Sequence, residues 1–358
     1  MSLALAPSLE GLRAYEATPH FTRYFCATCG CHMFWRHENA EVGPGKVTFA
    51  VATGVLLEKA DEGVAGDDDS GKNDRAAAPE QQYGRHINVA GTKDGGLSIW
   101  MPELRGRAME VYGHGGGGTA QEAQTMPVGA SGSDADVLQG FCHCGTVSIR
   151  ITRPDASSRL PRSNYPDLIV PYHTGSPCIT NPDDEKWWLR PSRDSSATTR
   201  YLAGTCACRS CRLTSGFEIQ TWAFIPRSNI YLRVGGAIPD LGSIEDAYQP
   251  LDFAAPEGNK SVLQSYESSP GVLREFCARC GANVFWHDKW RPDLIDVSVG
   301  LLDAPEGVRA EDWLDWWTER VSFSEDAVDG RYGEVGKRAL GLIMSLEYDM
   351  KRGIRIHV

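Results

Sequence analysis

The eleven cysteines are the side chains of this sequence best able to do chemistry, and ten of them stand in tight groups. Cys26, Cys29 and Cys31 form the first group, and Cys142 and Cys144 a C-x-C. Cys206, Cys208 and Cys211 form a C-x-C-x₂-C, and Cys277 and Cys280 a C-x₂-C, while Cys178 stands alone. One or two intervening residues suit ordinary disulfide staples poorly. They suit a metal ion well, because its thiolates must converge to about 2.3 Å from one centre. The seven thiolates at 142, 144, 206, 208, 211, 277 and 280 divide into four plus three. Four close a tetrahedral structural site, and three leave one position open for water or a substrate sulfur. Soft thiolates in tetrahedral array select zinc over hard ions, with an iron–sulfur cluster as the rival. The blander alternative is that all seven serve only to hold a small β fold together.

Positioning these groups requires a scaffold, and the sequence contains one twice. Residues 23–35, RYFCATCGCHMFW, match residues 274–286, REFCARCGANVFW, at a constant offset of 251. Downstream, VTFAVATGVLLE at 47–58 echoes LIDVSVGLLDA at 294–304, with the offset reduced to 246. A period this long is not a solenoid; it reads as two copies of one structural unit. The first copy lacks the upstream C-x-C and C-x-C-x₂-C, so it corresponds only to the back half of the second. Short runs rich in β-branched and aromatic residues predict strands at TVSIRI (146–151), IQTWAFI (219–225), NIYLRV (229–234) and LIDVSVG (294–300). AEDWLDWWTER (310–320) reads as a short helix and GKRALGLIMSLEY (336–348) as a terminal one. The class is mainly β.

Composition limits the functions open to the chain. A formal net charge of -11 over 358 residues, with no basic stripe, argues against a nucleic-acid partner. No stretch approaches the roughly 18 apolar residues of a membrane span. The N-terminus has neither the basic start nor the apolar core of a secretory signal, so a cytoplasmic location is expected. Disulfides are then not the expected use of cysteine.

FCHCGTVSIRI (141–151), GTCACRSCRLTSG (204–216) and REFCARCGANVFW (274–286), in this order, resemble the glutathione-dependent formaldehyde-activating enzyme family, whose relatives include centromere protein V. The resemblance spans 138 to about 326 and looks like a tandem, fungal-type member whose first copy is partial. It implies a zinc-stabilised β-tent fold, duplicated, with the first copy incomplete. It also implies two zinc ions in the complete domain, one held by Cys142, Cys144, Cys277 and Cys280 and the other by Cys206, Cys208 and Cys211. The implied activity is that of a carbon–sulfur lyase acting on glutathione adducts, with Cys206, Cys208 and Cys211 as the reactive centre. The substrate is thus a small molecule, either S-hydroxymethylglutathione or a glutathione conjugate of a metabolite. Arg209 and Arg212, lying between and beside the thiolates, are candidates to attract a glutathione carboxylate. The alternative is a non-catalytic, zinc-stabilised module that binds a protein, or a thiol protein whose clusters oxidise and release metal.

The expected organisation is a partial copy at 1–112, a linker at 113–136 and a complete domain at 137–330. The complete domain carries an insertion at 153–200, and a tail follows at 331–358. Residues 59–84 read as a solvated loop. GDDDSGKN at 66–73 departs from a phosphate loop in its last residue and carries three repelling aspartates; His114 with its following glycines reads as linker. Cys26, Cys29 and Cys31, with His32 and His37 nearby, are either a separate zinc site or idle thiols where an ancestral copy bound metal. Cys178 reads as a free cysteine. The tryptophans at 313, 316 and 317 read as helical core, ahead of a pocket lining.

Overall fold

A computed structural model describes residues 8–38, 47–57, 83–113, 136–191, 198–233, 248–254 and 262–353. The expected loop at 59–84, the near phosphate loop at 66–73, His114 with its glycines, and the linker at 113–136 lie outside these residues except at their ends.

Alternating and β-branched runs form antiparallel strands, as their composition requires. The N-terminal sheet runs β1 (Leu12–Thr18), β2 (Phe21–Cys26), β3 (His32–Glu38) and β4 (Val47–Val51), in that order. Four two-residue strands follow as two small ladders: β5 (Arg85–His86) with β8 (Glu110–Val111), and β6 (Glu103–Leu104) with β7 (Arg107–Ala108).

Two larger sheets enclose the main core. Their strands are β9 (Val137–Phe141), β10 (Ser148–Thr152), β11 (Leu189–Arg190), β12 (Arg200–Cys206), β13 (Gln220–Pro226), β14 (Ile230–Arg233), β15 (Tyr248–Pro250), β16 (Leu263–Ser269), β17 (Val272–Cys277), β18 (Asn283–Asp288), β19 (Leu294–Ser298), β20 (Leu302–Asp303) and β21 (Leu314–Trp316). One sheet has the order β15-β14-β10-β9-β20, and the other β11-β12-β13-β19-β18-β17-β16 with β21 beside β12. β12, β13 and β19 are buried almost throughout, the pattern of strands covered on both faces. Ile149, Leu202, Ile225, Phe285 and Val297 pack between the sheets.

The matching sequence segments adopt matching backbones. β1 pairs with β2 from Leu12↔Cys26 to Thr18↔Phe21, with a register shift between Glu16 and Thr18. β16 pairs with β17 from Leu263↔Cys277 to Ser269↔Val272, with the shift between Glu267 and Ser269, every position 251 residues on. The β2–β3 shift at Tyr24/Phe25 recurs in β17–β18 at Glu275/Phe276. The two hairpins pack on each other reciprocally. Arg13 donates to the Ala278 carbonyl at 3.0 Å, and Gln264, at the position equivalent to Arg13, donates to the Ala27 carbonyl at 2.9 Å. Gly30 lies so close to Phe276 that a Cβ would stand 2.6 Å from its ring, and Gly281 lies against Phe25 with the corresponding gap at 2.5 Å. Both glycines also have positive φ, 76° and 74°, so two independent constraints exclude a side chain there.

Two α-helices occur among the described residues: α1 (Arg209–Ser215) and α2 (Gly333–Lys351). Neither is long and apolar enough to cross a membrane. α2 extends the expected 336–348 helix at both ends. It packs Leu342, Ile343, Leu346 and Met350 against Ile99, Trp100 and Met101, which joins the expected C-terminal tail to the N-terminal third. The expected helix at 310–320 is not formed. Its centre is β21, parallel to β12, with Tyr201 N donating to Trp313 O and Trp317 N to Ala203 O. Pairing with the edge of β12 satisfies backbone groups that a short isolated helix would leave to solvent. Trp313 is buried and Trp316 packs on Trp100, so these rings are core, but not helical core.

Candidate metal centres and the adjoining cleft

Two tight turns bring the first cysteine cluster together. After β9, Gly145 N donates to Cys142 O at 2.8 Å; after β17, Gly281 N donates to Cys277 O at 2.9 Å. The four sulfurs of Cys142, Cys144, Cys277 and Cys280 lie within 4.8 Å of one another. Cys142 and Cys144 are 3.4 Å apart, and Cys144 and Cys277 3.5 Å. A tetrahedron with bonds of about 2.3 Å has edges of about 3.8 Å, so the donor set fits one metal ion such as zinc. Four packed thiols cannot all ionise by themselves. Hydrogen bonds from Cys142, Cys277 and Cys280 hold Cys144 far below an ordinary thiol, while Cys142 and Cys280 are driven far above it. A divalent cation removes that conflict. The N-terminal unit covers this cluster: Tyr15 Oη sits 2.7 Å from His143 Nδ1. Burial, and then the charge of Cys144 and Cys280, push the Tyr15 phenol up to about 12.

The second cluster sits where β12 runs into α1. Cys206 ends the strand, Cys208 caps the helix by accepting from Cys211 N at 3.2 Å, and Cys211 lies in the first turn. The three sulfurs also lie within 4.8 Å of one another. Among the described residues no fourth Cys, His, Asp or Glu joins them. β17 delivers Arg274, which is buried. Both its terminal nitrogens lie 3.6 Å from Cys211 Sγ, and Nη2 donates to Ser210 Oγ at 2.9 Å. Hydrogen bonds from Cys206 and Cys208, with the Arg274 charge, hold the Cys211 thiol well below its usual range despite burial. Cys206 is raised well above it by the same hydrogen bonds and by burial.

This second cluster opens into a cleft of about 1240 Å³, lined also by Trp222, Trp286, Arg274, Arg291 and Asp296. Arg291 pairs with Asp296 at 2.7 Å and lies 4.6 Å from the Trp286 ring centroid. Burial raises the Asp296 carboxyl to about 6, against the opposing pull of Arg291. The segment expected as an insertion forms the facing wall, with Asn164, Asp167, Tyr172 and Trp187 on the lining. Asp167 locks that wall in place, accepting from Tyr172 N and Phe323 N, both at 2.7 Å, and from Arg320 at 3.1 Å.

The two arginines expected near the thiolates part ways. Arg209 lines the cleft, half-exposed and 3.7 Å from Asp329 Oδ2. Arg212 does not, which corrects the expectation that it binds glutathione. Its guanidinium is buried and donates to the carbonyls of Gly54 and Asp329, tying α1 to the N-terminal unit. One residue of helix rotation separates it from Cys211 and turns it inward. The cationic group beside the sulfurs is Arg274 instead. Its signal was present in the repeated R-x-F-C, where an arginine keeps a fixed place before each C-x₂-C. Asp296 had a signal too, as a lone acid inside the apolar strand LIDVS.

Cys26 and Cys29 occupy a turn like that of Cys277 and Cys280, with Gly30 N donating to Cys26 O at 3.0 Å. Cys31 is buried and directs its sulfur to the His32 carbonyl at 3.7 Å. Among the described residues these three do not form a cluster able to hold a metal. Cys178 is a free, exposed cysteine.

The family model of the glutathione-dependent formaldehyde-activating enzyme matches residues 243–320. The match covers β15 to β21 with Arg274, Cys277, Cys280 and Asp296. No curated protein matches the chain significantly.

Proposed function

We propose that this chain is a zinc-dependent carbon–sulfur lyase acting on glutathione adducts, either S-hydroxymethylglutathione or the conjugate of a larger metabolite. The observation that carries this reading is the three-sulfur cluster of Cys206, Cys208 and Cys211 on the wall of a cleft, with no fourth protein donor among the described residues. In this reading Cys142, Cys144, Cys277 and Cys280 hold a structural zinc, and the other three cysteines hold a reactive one. Zinc bound there supplies a Lewis acid with one position free for a sulfur or oxygen of the substrate.

The chain's own residues do the remaining work. Arg274 neutralises part of the charge on three thiolates and fixes Cys211 by hydrogen bonds from both arms of its guanidinium. Arg209 and Arg291 offer cations for the carboxylates of a glutathionyl group, and Trp222 and Trp286 form an apolar wall that limits water. Asp296, poised near 6, accepts the hydroxyl proton of a hydroxymethyl adduct as the carbon–sulfur bond opens and the electrons of that bond pass to sulfur. In the same reading, the N-terminal unit is an incomplete second copy of the domain, retained as a cover for the four-sulfur site.

Metal analysis and two variants test the assignment. The intact protein is expected to carry two zinc ions. Cys208→Ala is expected to lose one of them and at least about a hundredfold in turnover while keeping its fold. Cys277→Ala is expected to lose the fold itself, because its site joins segments more than 130 residues apart. Equal unfolding of the two variants, or a purified zinc-loaded protein that neither binds glutathione nor turns over any of its adducts, overturns the reading.

A further inference from the structure

Cys26 and Cys29 belong to neither sulfur cluster, yet Cys29 lines the same cleft as Cys206, Cys208 and Cys211. Their turn has the backbone hydrogen bond of the Cys277–Cys280 turn, whose two sulfurs converge within 4.8 Å. Cys26 and Cys29 therefore stand at the two ends of one tight turn, as Cys277 and Cys280 do. Both are partly buried rather than sealed in the core, and no third donor among the described residues completes a metal site around them. Cys31, which the spacing offers as that third donor, is buried and turned onto the His32 carbonyl. Two adjacent, accessible thiols at C-x₂-C spacing, without the ligands that would lock them to a metal, are placed to exchange with a disulfide.

We propose that Cys26 and Cys29 are a redox-active dithiol in the cleft wall, with glutathione disulfide as the oxidant. One thiolate of the pair attacks a sulfur of glutathione disulfide; the S–S bond breaks, and the first glutathione leaves as thiolate and takes a proton. The second thiolate attacks the protein sulfur of the resulting mixed disulfide. A Cys26–Cys29 bond forms, and the second glutathione leaves and takes the other proton. The dithiol loses two electrons and two protons, and one glutathione disulfide becomes two glutathiones. The pair therefore reports the glutathione redox state at the mouth of the site. The inference stands on the geometry of the turn and does not depend on the lyase reading.

The test uses the full-length, zinc-loaded protein exposed to glutathione disulfide, quenched with an alkylating agent and read by peptide mass spectrometry. Cys26 and Cys29 are expected to escape alkylation as an internal disulfide, while the seven cluster cysteines stay reduced under their metal. Cys26→Ser and Cys29→Ser are each expected to trap one mixed disulfide with glutathione, reversed by dithiothreitol. Exposed Cys178 is the internal control, and the trapped species is expected to form at least about tenfold faster than the Cys178 adduct. Reaction no faster than at Cys178 overturns the proposal. So does a third zinc that protects Cys26 and Cys29 and is lost in both serine variants. None of these readouts involves turnover, so failure of the lyase assignment would leave this result standing.

Discussion

Asp296 carries the clearest residue-scale prediction. Its carboxyl titrates at about 6 in the folded protein against 3.8 in a free chain, with burial as the cause. Turnover of a glutathione adduct is therefore expected to fall on acidification through about pH 6, as the base becomes protonated, and Asp296→Asn is expected to lose that limb of the pH–rate profile. The same shift has a stability consequence of definite sign. Between pH 3.8 and about 6 the folded state holds this proton more tightly than the unfolded state, so the Asp296 contribution to stability declines as pH rises through that window. Denaturant titrations of wild type and Asp296→Asn at both ends of the window check it. The residues of this site differ in how far the sequence exposed them. The cysteines were legible because a metal's demands are local and written as short spacings. Arg274 and Asp296 reach the cleft from β17 and β19, far along the chain from Cys211, and only strand pairing makes them neighbours. Arg212 misled because adjacency to Cys211 in sequence is not adjacency in a helix.

The two hairpins, β1–β2–β3 and β16–β17–β18, meet through glycines that cannot be replaced cheaply. A methyl group at Gly281 runs into the Phe25 ring, and one at Gly30 into Phe276, each at a positive φ. Overpacking and left-handed strain together are expected to cost about 3 kcal/mol in either Gly281→Ala or Gly30→Ala, measured by chemical denaturation. Comparable losses on both sides are the mark of a reciprocal seam; a loss at one glycine alone would show the packing to be lopsided. At this scale the sequence was most informative where periodicity met repetition. A constant offset of 251 foretold two matching strand registers, including their shifts. It failed at 310–320, where tryptophan spacing imitates a helical stripe. What decides that segment is the free edge of β12, which no local pattern reveals.

At the scale of the whole molecule, a buried ion pair between Arg331 and Glu218 ties distant parts together. Arg331, ahead of α2, meets Glu218 at 2.7 Å and also donates to Thr53 O at 2.9 Å, while Tyr83 Oη donates to Glu218 at 2.8 Å. Both charged side chains are nearly free of solvent contact. Glu218→Ala leaves Arg331 buried without its partner and is expected to destabilise the protein by about 3–5 kcal/mol, visible as a lowered thermal midpoint that zinc does not restore. The sequence reads as a partial N-terminal copy at 1–112 and a tail at 331–358. What it did not reveal is that α2 packs on residues 99–101 and that the N-terminal unit covers the four-sulfur site, because both depend on contacts across most of the chain's length. The glycine–phenylalanine seam carries a last consequence. Each side presents to the other what it receives from it, which is the geometry of an isologous interface, the kind two identical subunits use to close a dimer. The chain carries its own partner covalently. Cutting away the N-terminal unit is therefore expected to bare Phe276 and Gly281, a face shaped to receive a second copy of itself, and sedimentation of the truncated chain as a dimer is the result that checks it.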